Sequence, residues 1–351
     1  MTIIIKFVSS HSMIMGWRNL KYALSLFPGV ITFYGISLGG YWTYGNFIFS
    51  LGLLPLIEMV LPEDTDNKFN QQDIIPDMIL GAHVLMQLLI MSVLFHTIAN
   101  DRFNQFELIG AMLSVGLHSG SGAIVVAHEL IHRKNAFWQS MGKLLLFSAG
   151  NFYFFIEHLK VHHKWVGTSN DPATALRGES LYRFFVRSVA GQLSGAWKIE
   201  ASRMKQSGYS VFSFRNYVFS SILLTTLLLI FLAVEAGWIA VAFFMVQALL
   251  ANFLLEYTNY IEHYGLQRDP KERTTEIHSW QSDKIVSRFI LIDLSRHADH
   301  HYYASKPYHR LDSYENSPML PAGYTSSFYL ALVPSLWFRI MDNRLDQFHS
   351  Q

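Results

Sequence analysis

The sequence predicts an all-α, polytopic membrane protein with about six transmembrane helices, and three observations lead to this fold class. Of the 351 residues, 51% are hydrophobic and only 15% are charged, whereas soluble domains carry about 25% charged residues. Six apolar segments approach the roughly 20 residues that a helix needs to cross the hydrocarbon core. Nine of the 16 histidines lie in four short motifs that follow these segments, which favours a metal-binding site on one side of the membrane.

The six predicted spans lie at roughly 22–42, 46–61, 78–98, 107–127, 216–235 and 238–257. The first two are joined by "YGN" and the last two by "AGW", so each pair is expected to form a hairpin. The second span is the weakest because it is short and carries Glu58. A soluble helical protein is the alternative, but the polar residues are too few to cover six such helices. Lys143 and Arg339 interrupt two more apolar stretches, 138–156 and 326–341, which we expect to be interfacial or re-entrant.

Charges in the connecting segments predict the orientation. Residues 128–215 contain twelve Lys and Arg against five Asp and Glu, and basic segments stay in the cytoplasm. We therefore expect one membrane-embedded domain over residues 1–351, with cytoplasmic portions 128–215 and 258–351 and both termini in the cytoplasm. The net charge of +1 and the lack of a long basic block argue against nucleic-acid binding.

Four motifs carry histidines that we expect to bind metal: HELIHR, EHLKVHHKW, NYIEHYGLQ and SRHADHHYY. Residues three and four positions apart share a helix face, so the three rings of the last motif are expected to converge on one point. In the second motif His158 and His162 are expected to share a face, with His163 turned about 100° away toward a second ion. The nine candidate ligands are His128, His132, His158, His162, His163, His263, His297, His300 and His301.

Nine imidazoles exceed the four ligands of a tetrahedral zinc ion, and imidazole also suits iron, copper and nickel. A pair of metal ions is therefore predicted. The chain has no cysteine, which excludes Cys-ligated zinc, iron–sulfur clusters and a rubredoxin-type iron site within it. Polar groups in or near the motifs are expected to hold the outer ring nitrogens, although each also suits a capping or surface role. They are Glu129, Glu157, Asp171, Glu262, His278 and Asp299.

The other histidines are given ordinary roles. We expect His11, His309 and His349 to be solvated, and His83, His96 and His118 to be packed and hydrogen-bonded in or near the spans. Two other classes of protein use related patterns. A membrane zinc protease would use HELIH plus a distant Asp and leave the other seven candidate ligands idle. A metal transporter would place its ligands near the bilayer midplane rather than beyond the helix ends.

Taken together, HELIH, EHLKVHH, NYIEHYGL and LSRHADHH resemble the four signature motifs of the integral-membrane di-iron alkane 1-monooxygenase (alkane hydroxylase) family. This family lies within the membrane fatty-acid desaturase and hydroxylase superfamily. DPATA, EIHSWQSDKIVSRFIL and SPMLPAGY also match, so the resemblance runs from about residue 107 to 345. One departure is Val161, where the family usually has Gly. Desaturases and sterol-type hydroxylases lack the NYIEHYGL block in this form, whereas xylene monooxygenase is closer.

The resemblance implies a di-iron centre held by the nine histidines and hydroxylation of the terminal methyl group of n-alkanes with O2. It also implies electrons from rubredoxin and rubredoxin reductase, a lipid environment and a bacterial inner membrane. Aromatic methyl groups and fatty acyl chains are the alternative substrates. We expect an acidic rubredoxin to dock on Lys160, Lys164, Arg177, Arg183 and Arg187, unless these charges only set topology and bind lipid headgroups. Trp42 and Tyr44 are candidates for closing the far end of a substrate channel.

Overall fold

The computed structural model describes residues 17–67 and 74–350. This part of the chain is helical, and its strand pairing is limited to two isolated bridges, Glu63 with Lys284 and Gln281 with Met319. The all-α prediction is therefore confirmed. The helices are α1 (Phe27–Leu38), α2 (Gly40–Val60), α3 (Ile75–Ala99), α4 (Gln105–His132), α5 (Ala136–Ser148), α6 (154–165), α7 (Leu181–Gln206), α8 (Tyr217–His263), α9 (Ile285–Ile290), α10 (His297–Tyr302), α11 (Tyr324–Ala331) and α12 (Pro334–His349). A 3₁₀ helix, Trp17–Leu26, precedes α1, and 3₁₀ turns lie at Glu276–His278 and Tyr308–Arg310.

Among the described residues, four helices are long and apolar enough to cross a membrane: α2, α3, α4 and α8. The prediction of a polytopic membrane protein holds, but the count of six spans is not confirmed. The predicted fifth and sixth spans are the two arms of the 47-residue α8, which meet at Gly237 with a φ of +75°. The predicted first span is divided, because α1 is only 12 residues long and ends before Gly39, where φ is +72°.

The two stretches expected at the interface do not form candidate spans. In 138–156, helix α5 ends at Ser148 and the chain turns at Gly150, which has a φ of +68°. In 326–341, α11 ends at Ala331 and α12 begins at Pro334. A proline has no backbone N–H and favours the first turn of a helix, so the sequence breaks this stretch into two short helices.

Close packing of α4 against α8 determines where the histidine motifs meet. A Cβ atom on Gly116 would lie 2.8 Å from Leu250, and one on Gly120 would lie 2.7 Å from Leu254. Glycine therefore lets the two helices approach, and a larger residue would overpack the contact at a cost of about 1–3 kcal/mol. Both helices end in candidate ligands on the same side of the structure, α4 at His132 and α8 at His263.

Three helices contain a π-helical turn: Ile48–Leu53 in α2, Ser119–Ile124 in α4 and His158–His162 in α6. A π turn accommodates one extra residue and changes the direction of the side chains that follow it, and such turns occur frequently at functional sites. In this chain the third π turn contains candidate ligands, and the first two border the cavity described below.

Candidate metal centre

Four elements bring the nine predicted ligands into one cluster: the ends of α4 and α8, and the short helices α6 and α10. The cluster divides into two groups, within each of which one ring nitrogen per histidine lies within 4.8 Å of all the others. Group one is His128, His132, His158, His163 and His300, and group two is His162, His263, His297 and His301.

The π turn of α6 determines how the three histidines of the second motif are divided between the two groups. His158 and His162 lie on one face, as expected, because their rings stack with centroids 5.2 Å apart. They nevertheless join different groups: His158 belongs to group one together with His163, and His162 belongs to group two. In a π turn the backbone hydrogen bonds run from residue i to i+5 rather than to i+4, so residues five apart come closer to one side than they do in an α-helix. The prediction that adjacent histidines serve different ions agrees with this arrangement. Val161 is half-buried, and the two histidines that follow it, His162 and His163, each lie in a group.

The histidines of the fourth motif are also divided between the two groups, whereas we expected them to converge on one point. His297 and His301, one helical turn apart, belong to group two, whereas His300 belongs to group one. Adjacent positions on a helix differ in direction by about 100°. Helix α10 lies between the groups, so its neighbouring histidines reach different ones.

The spacing of the ring nitrogens fits a shared metal ion. In group one the Nε2 atoms of His132, His158 and His163 form a triangle with sides of 3.0, 3.0 and 3.1 Å. Ligand atoms that share an ion at about 2.1 Å stand roughly 3 Å apart. The Nε2 atoms of His128 and His263 are buried without a hydrogen-bond partner among the described residues. Buried polar atoms are normally paired, and bound metal ions would satisfy them.

The protonation of the rings also suits metal binding. Burial lowers the pKa of His158, His163, His300 and His301 well below 6.5, and repulsion from neighbouring rings lowers it further. These imidazoles are therefore neutral near pH 7, and a neutral ring offers the lone pair that a metal ion needs.

Three of the six predicted supporting residues contact group two. The Nδ1 atom of His162 lies 2.9 Å from Oδ2 of Asp171, and the Oε2 atom of Glu262 lies 3.1 Å from Nε2 of His297. The backbone of His278 hydrogen-bonds to the ring of His263. Burial alone would raise the pKa of Asp171, but His162 and the hydrogen bonds to the carboxylate outweigh it and lower this pKa. Asp171 is therefore a charged acceptor that fixes the direction of the His162 ring.

The other three supporting residues have different partners in the described part of the chain. Glu129 accepts hydrogen bonds from Nε of Arg133 at 2.8 Å and from the backbone N–H of Tyr308 at 3.2 Å. Asp299 accepts from Nζ of Lys306 at 2.6 Å and from the hydroxyl of Tyr314 at 2.8 Å. Glu157 is buried, and burial together with the charges of Asp171 and Glu256 raises its pKa. Glu129 and Asp299 thus hold the loops around the centre.

The remaining histidines were only partly predicted. His309 is 8% exposed, so its expected solvation is wrong; its ring packs against Tyr308. His349 is exposed, as expected, and His11 lies outside the described residues. In the membrane helices, Nε2 of His83 pairs with Oγ of Ser25 at 2.7 Å, His96 is exposed, and His118 is buried with neither ring nitrogen bonded within the described residues.

An apolar cavity leads to the histidines, and the residues that line it could not be identified from the sequence alone. It follows one face of α4 from Leu117 to His128 and also reaches His158 and His297, so it contacts both groups. The opposite walls are contributed by α2, α8 and α11, and they include Ser50, Leu51, Leu54, Leu254, Leu255, Tyr324, Thr325 and Phe328.

The two candidates for closing this cavity lie elsewhere. Trp42 is 66% exposed, and the hydroxyl of Tyr44 donates to the backbone carbonyl of Phe106 at 3.1 Å. Neither residue lines the cavity, so that expectation is wrong. Of the residues of α2 and α4 that line the cavity, Ser50, Leu51 and Leu117 lie farthest along their helices from the ends that approach the histidines.

Comparison with known proteins agrees with the geometry. The fatty acid desaturase family model matches residues 106–331. Alkane 1-monooxygenase 1 of Pseudomonas aeruginosa is 35% identical over 88% of this chain and 85% of its own length. Alkane 1-monooxygenase 1 of Alcanivorax borkumensis is 35% identical over 93% of this chain and 85% of its own. The xylene/toluene monooxygenase hydroxylase component of Pseudomonas putida is 27% identical over 89% and 84%. The chain therefore belongs to the alkane 1-monooxygenases, membrane oxidoreductases within the fatty acid desaturase family.

Proposed function

We propose that this enzyme hydroxylates the terminal methyl group of n-alkanes to give primary alcohols, using O2 and two externally supplied electrons. The observation that carries the proposal is the apolar cavity that ends at both histidine groups. An unactivated C–H bond offers no acidic proton to a general base, so a metal centre must supply the oxidising chemistry. We propose two iron ions, one in each group.

The chain's own residues would bind and orient the substrate. The part of α4 that lines the cavity spans twelve residues, from Leu117 to His128, which corresponds to roughly 16 Å of helix and to an extended alkyl chain of about a dozen carbons. Leucine and phenylalanine side chains along the walls would hold the chain straight and present its terminal carbon to the histidines. The same walls would exclude water from the reacting centre.

Electrons would enter through group one. His132 and His163 are partly exposed, whereas all four histidines of group two are buried. Next to them, Lys160 and Lys164 are exposed. We propose that rubredoxin, reduced by its reductase, docks at this edge, which would be cytoplasmic on a bacterial inner membrane. Arg177 pairs with Asp346 at 2.6 Å and Arg187 with Glu179 at 2.7 Å, so their charge is already compensated.

Aromatic methyl groups are the second candidate substrates, because the chain is also 27% identical to the xylene/toluene enzyme component. Fatty acyl chains are the third, since the desaturase family model covers the centre. A cavity with many leucine and isoleucine side chains along its walls suits a hydrocarbon chain, and no lysine or arginine is among its lining residues to receive a carboxylate.

The experiment is a substrate panel of octane, hexadecane, p-xylene and palmitate, assayed with purified enzyme, rubredoxin, its reductase and NADH. We expect 1-octanol as the main product and little turnover of p-xylene. Products from p-xylene alone would replace the alkane by an aromatic methyl substrate. Full activity without any rubredoxin would refute the need for an external electron carrier.

A further inference from the structure

Glu58 is a carboxylate within membrane helix α2, near the end of that helix on the histidine side, and only 1% of it is exposed. Moving a carboxylate out of water is costly unless hydrogen bonds compensate, so an ionisable residue in a membrane helix calls for a named partner. In this structure the partners come from two segments far away in the sequence.

Glu58 accepts three hydrogen bonds. Its carboxylate receives Oγ of Ser287 at 2.5 Å, Oγ1 of Thr325 at 2.7 Å and the backbone N–H of Ser326 at 2.8 Å. The last two belong to the first turn of α11, where an acidic group is favoured by the helix dipole. The start of this helix also touches Glu58 directly, because a Cβ atom on Gly323 would lie 2.1 Å from the carboxyl carbon.

The same contacts fix the position of Tyr324. Its backbone N–H donates to Oγ of Ser287 at 2.7 Å, and its carbonyl accepts from the hydroxyl of Tyr257 at 2.5 Å. Its side chain is 2% exposed, and its hydroxyl donates to Oε1 of Glu262 at 2.8 Å. The other carboxylate oxygen of Glu262 lies 3.1 Å from Nε2 of His297, in group two.

We propose that Glu58 is a positioning residue of the enzyme: by anchoring the start of α11, it places the Tyr324 hydroxyl so that Glu262 is held beside His297. The anchor also sets one wall of the cavity, since Thr325 and Phe328 of α11 line it. This inference rests on the proposed function, because it assigns the network to the metal ion of group two.

The test compares the wild type, Glu58→Gln, Tyr324→Phe and the double variant in a cycle. The first readout is the Mössbauer spectrum of iron-loaded protein, together with iron per chain. We expect both single variants to keep two irons and to shift the same one of two spectral components, with kcat reduced about tenfold. The KM for octane should rise more in Glu58→Gln than in Tyr324→Phe, because Glu58→Gln releases the start of α11, with Thr325 and Phe328 of the cavity wall, whereas Tyr324→Phe keeps the aromatic ring in place. The double variant should resemble Glu58→Gln, since both substitutions act on one chain of contacts.

Glu107→Gln is the matched control. Glu107 accepts hydrogen bonds from the backbone N–H groups of Gly40 at 2.6 Å and Asn104 at 2.8 Å, at the other end of the membrane helices. It should leave the spectrum unchanged. The proposal is overturned if Glu58→Gln leaves the spectrum of the wild type intact, or if the two substitutions reduce kcat by independent factors.

A second cycle uses thermal unfolding of the metal-free protein, so that the two proposals can fail separately. Non-additive losses of Tm for Glu58→Gln and Tyr324→Phe are expected. Additive losses would overturn the anchor whatever the iron content. A wild type that binds fewer than two metal ions would refute the proposed function. If the losses of Tm were still non-additive in that case, Glu58 would anchor α11 as a structural contact only, and the assignment of this network to a metal site would be overturned.

Discussion

The two histidine groups differ in exposure and in what holds their rings. Group one has a partly exposed edge at His132 and His163, and the buried outer nitrogens of His158 and His163 have no hydrogen-bond partner within the described residues. All of group two is buried. Asp171 supports the ring of His162, and the backbone of His278 together with Ser279 supports the ring of His263, whereas the Nδ1 atoms of His297 and His301 have no hydrogen-bond partner within the described residues. The difference in exposure supports the proposal that an electron donor approaches group one, and two of the four rings of group two are fixed by the surrounding protein.

The largest effects are expected from removing one histidine of each group. His300→Ala and His301→Ala are neighbouring substitutions that should each lower occupancy of a different iron and reduce turnover about a hundredfold or more, beyond the effect of losing a supporting residue. Metal analysis and Mössbauer spectra would show which component is lost. His349→Ala, at an exposed position, is the control. Loss of the same component in both variants would remove the division into two groups.

Asp171→Asn should affect only one of the two histidine groups, because Asp171 supports a ring of group two. It keeps the size of the side chain but removes the charge that faces His162, so iron affinity should fall about 10-fold to 100-fold. The loss should be confined to the group-two iron, as measured by chelator competition. Asp299→Asn is the matched control, because Asp299 bonds to Lys306 and Tyr314 instead. An equal loss of both irons in Asp171→Asn would contradict the comparison.

Because group one is partly exposed, reversing the charge of the lysines next to it should slow electron transfer from rubredoxin. Lys160→Glu with Lys164→Glu should lower turnover with an acidic rubredoxin about tenfold at low salt, and the difference should shrink as ionic strength rises. Stopped-flow reduction by rubredoxin gives the rate. Lys198→Glu, exposed on α7, should have little effect. Unchanged reduction in the double variant would place the docking face elsewhere.

The cavity contacts both groups, so narrowing its far end should change chain length without touching either iron. Leu117→Trp should abolish hexadecane hydroxylation and retain most octane hydroxylation, because the added ring fills the end of the cavity. Leu85→Trp, on a side chain of α3 that is 64% exposed, is the size-matched control. Equal losses for both alkanes, or a loss of iron, would show that Leu117 does not limit substrate length.

The smallest of these effects is expected from acidification, which should lower the stability of the metal-free protein. The pKa values of His297, His300 and His301 in the folded, metal-free protein lie well below 6.5 because the rings are buried, whereas the unfolded chain titrates near 6.5. The unfolded state therefore takes up protons first, and stability is lost as the pH falls below about 6.5. Tm of the metal-free protein between pH 7.5 and 5.5 should decrease. A constant or rising Tm would contradict buried neutral rings.

The ligand set illustrates what sequence reasoning can reach. Spacing and position relative to the apolar segments were enough to identify the nine histidines that the structure brings together. Their division was beyond this reasoning, because an α-helical repeat was assumed for the second motif and the π turn at His158–His162 changes the repeat locally. A π turn depends on tertiary packing and has no clear signal in the chain.

The count of six spans is not confirmed and the expectation for His309 is wrong, for similar reasons. Hydropathy located the apolar stretch 22–42, but the positive φ at Gly39 and the 3₁₀ start at Trp17–Leu26 break it. His309 appeared in a polar loop, yet the loop folds back so that Tyr308 and His309 are buried. Neither long-range contact can be read from local composition.

The central claim is that two iron ions are bound, one by five and one by four histidines. Iron analysis combined with X-ray absorption of the purified wild-type enzyme tests it most directly. We predict two irons per chain and first shells dominated by imidazole nitrogen at about 2.1 Å, with no sulfur, since the chain has no cysteine. One metal ion per chain, or a shell with one or two imidazoles, would contradict the account.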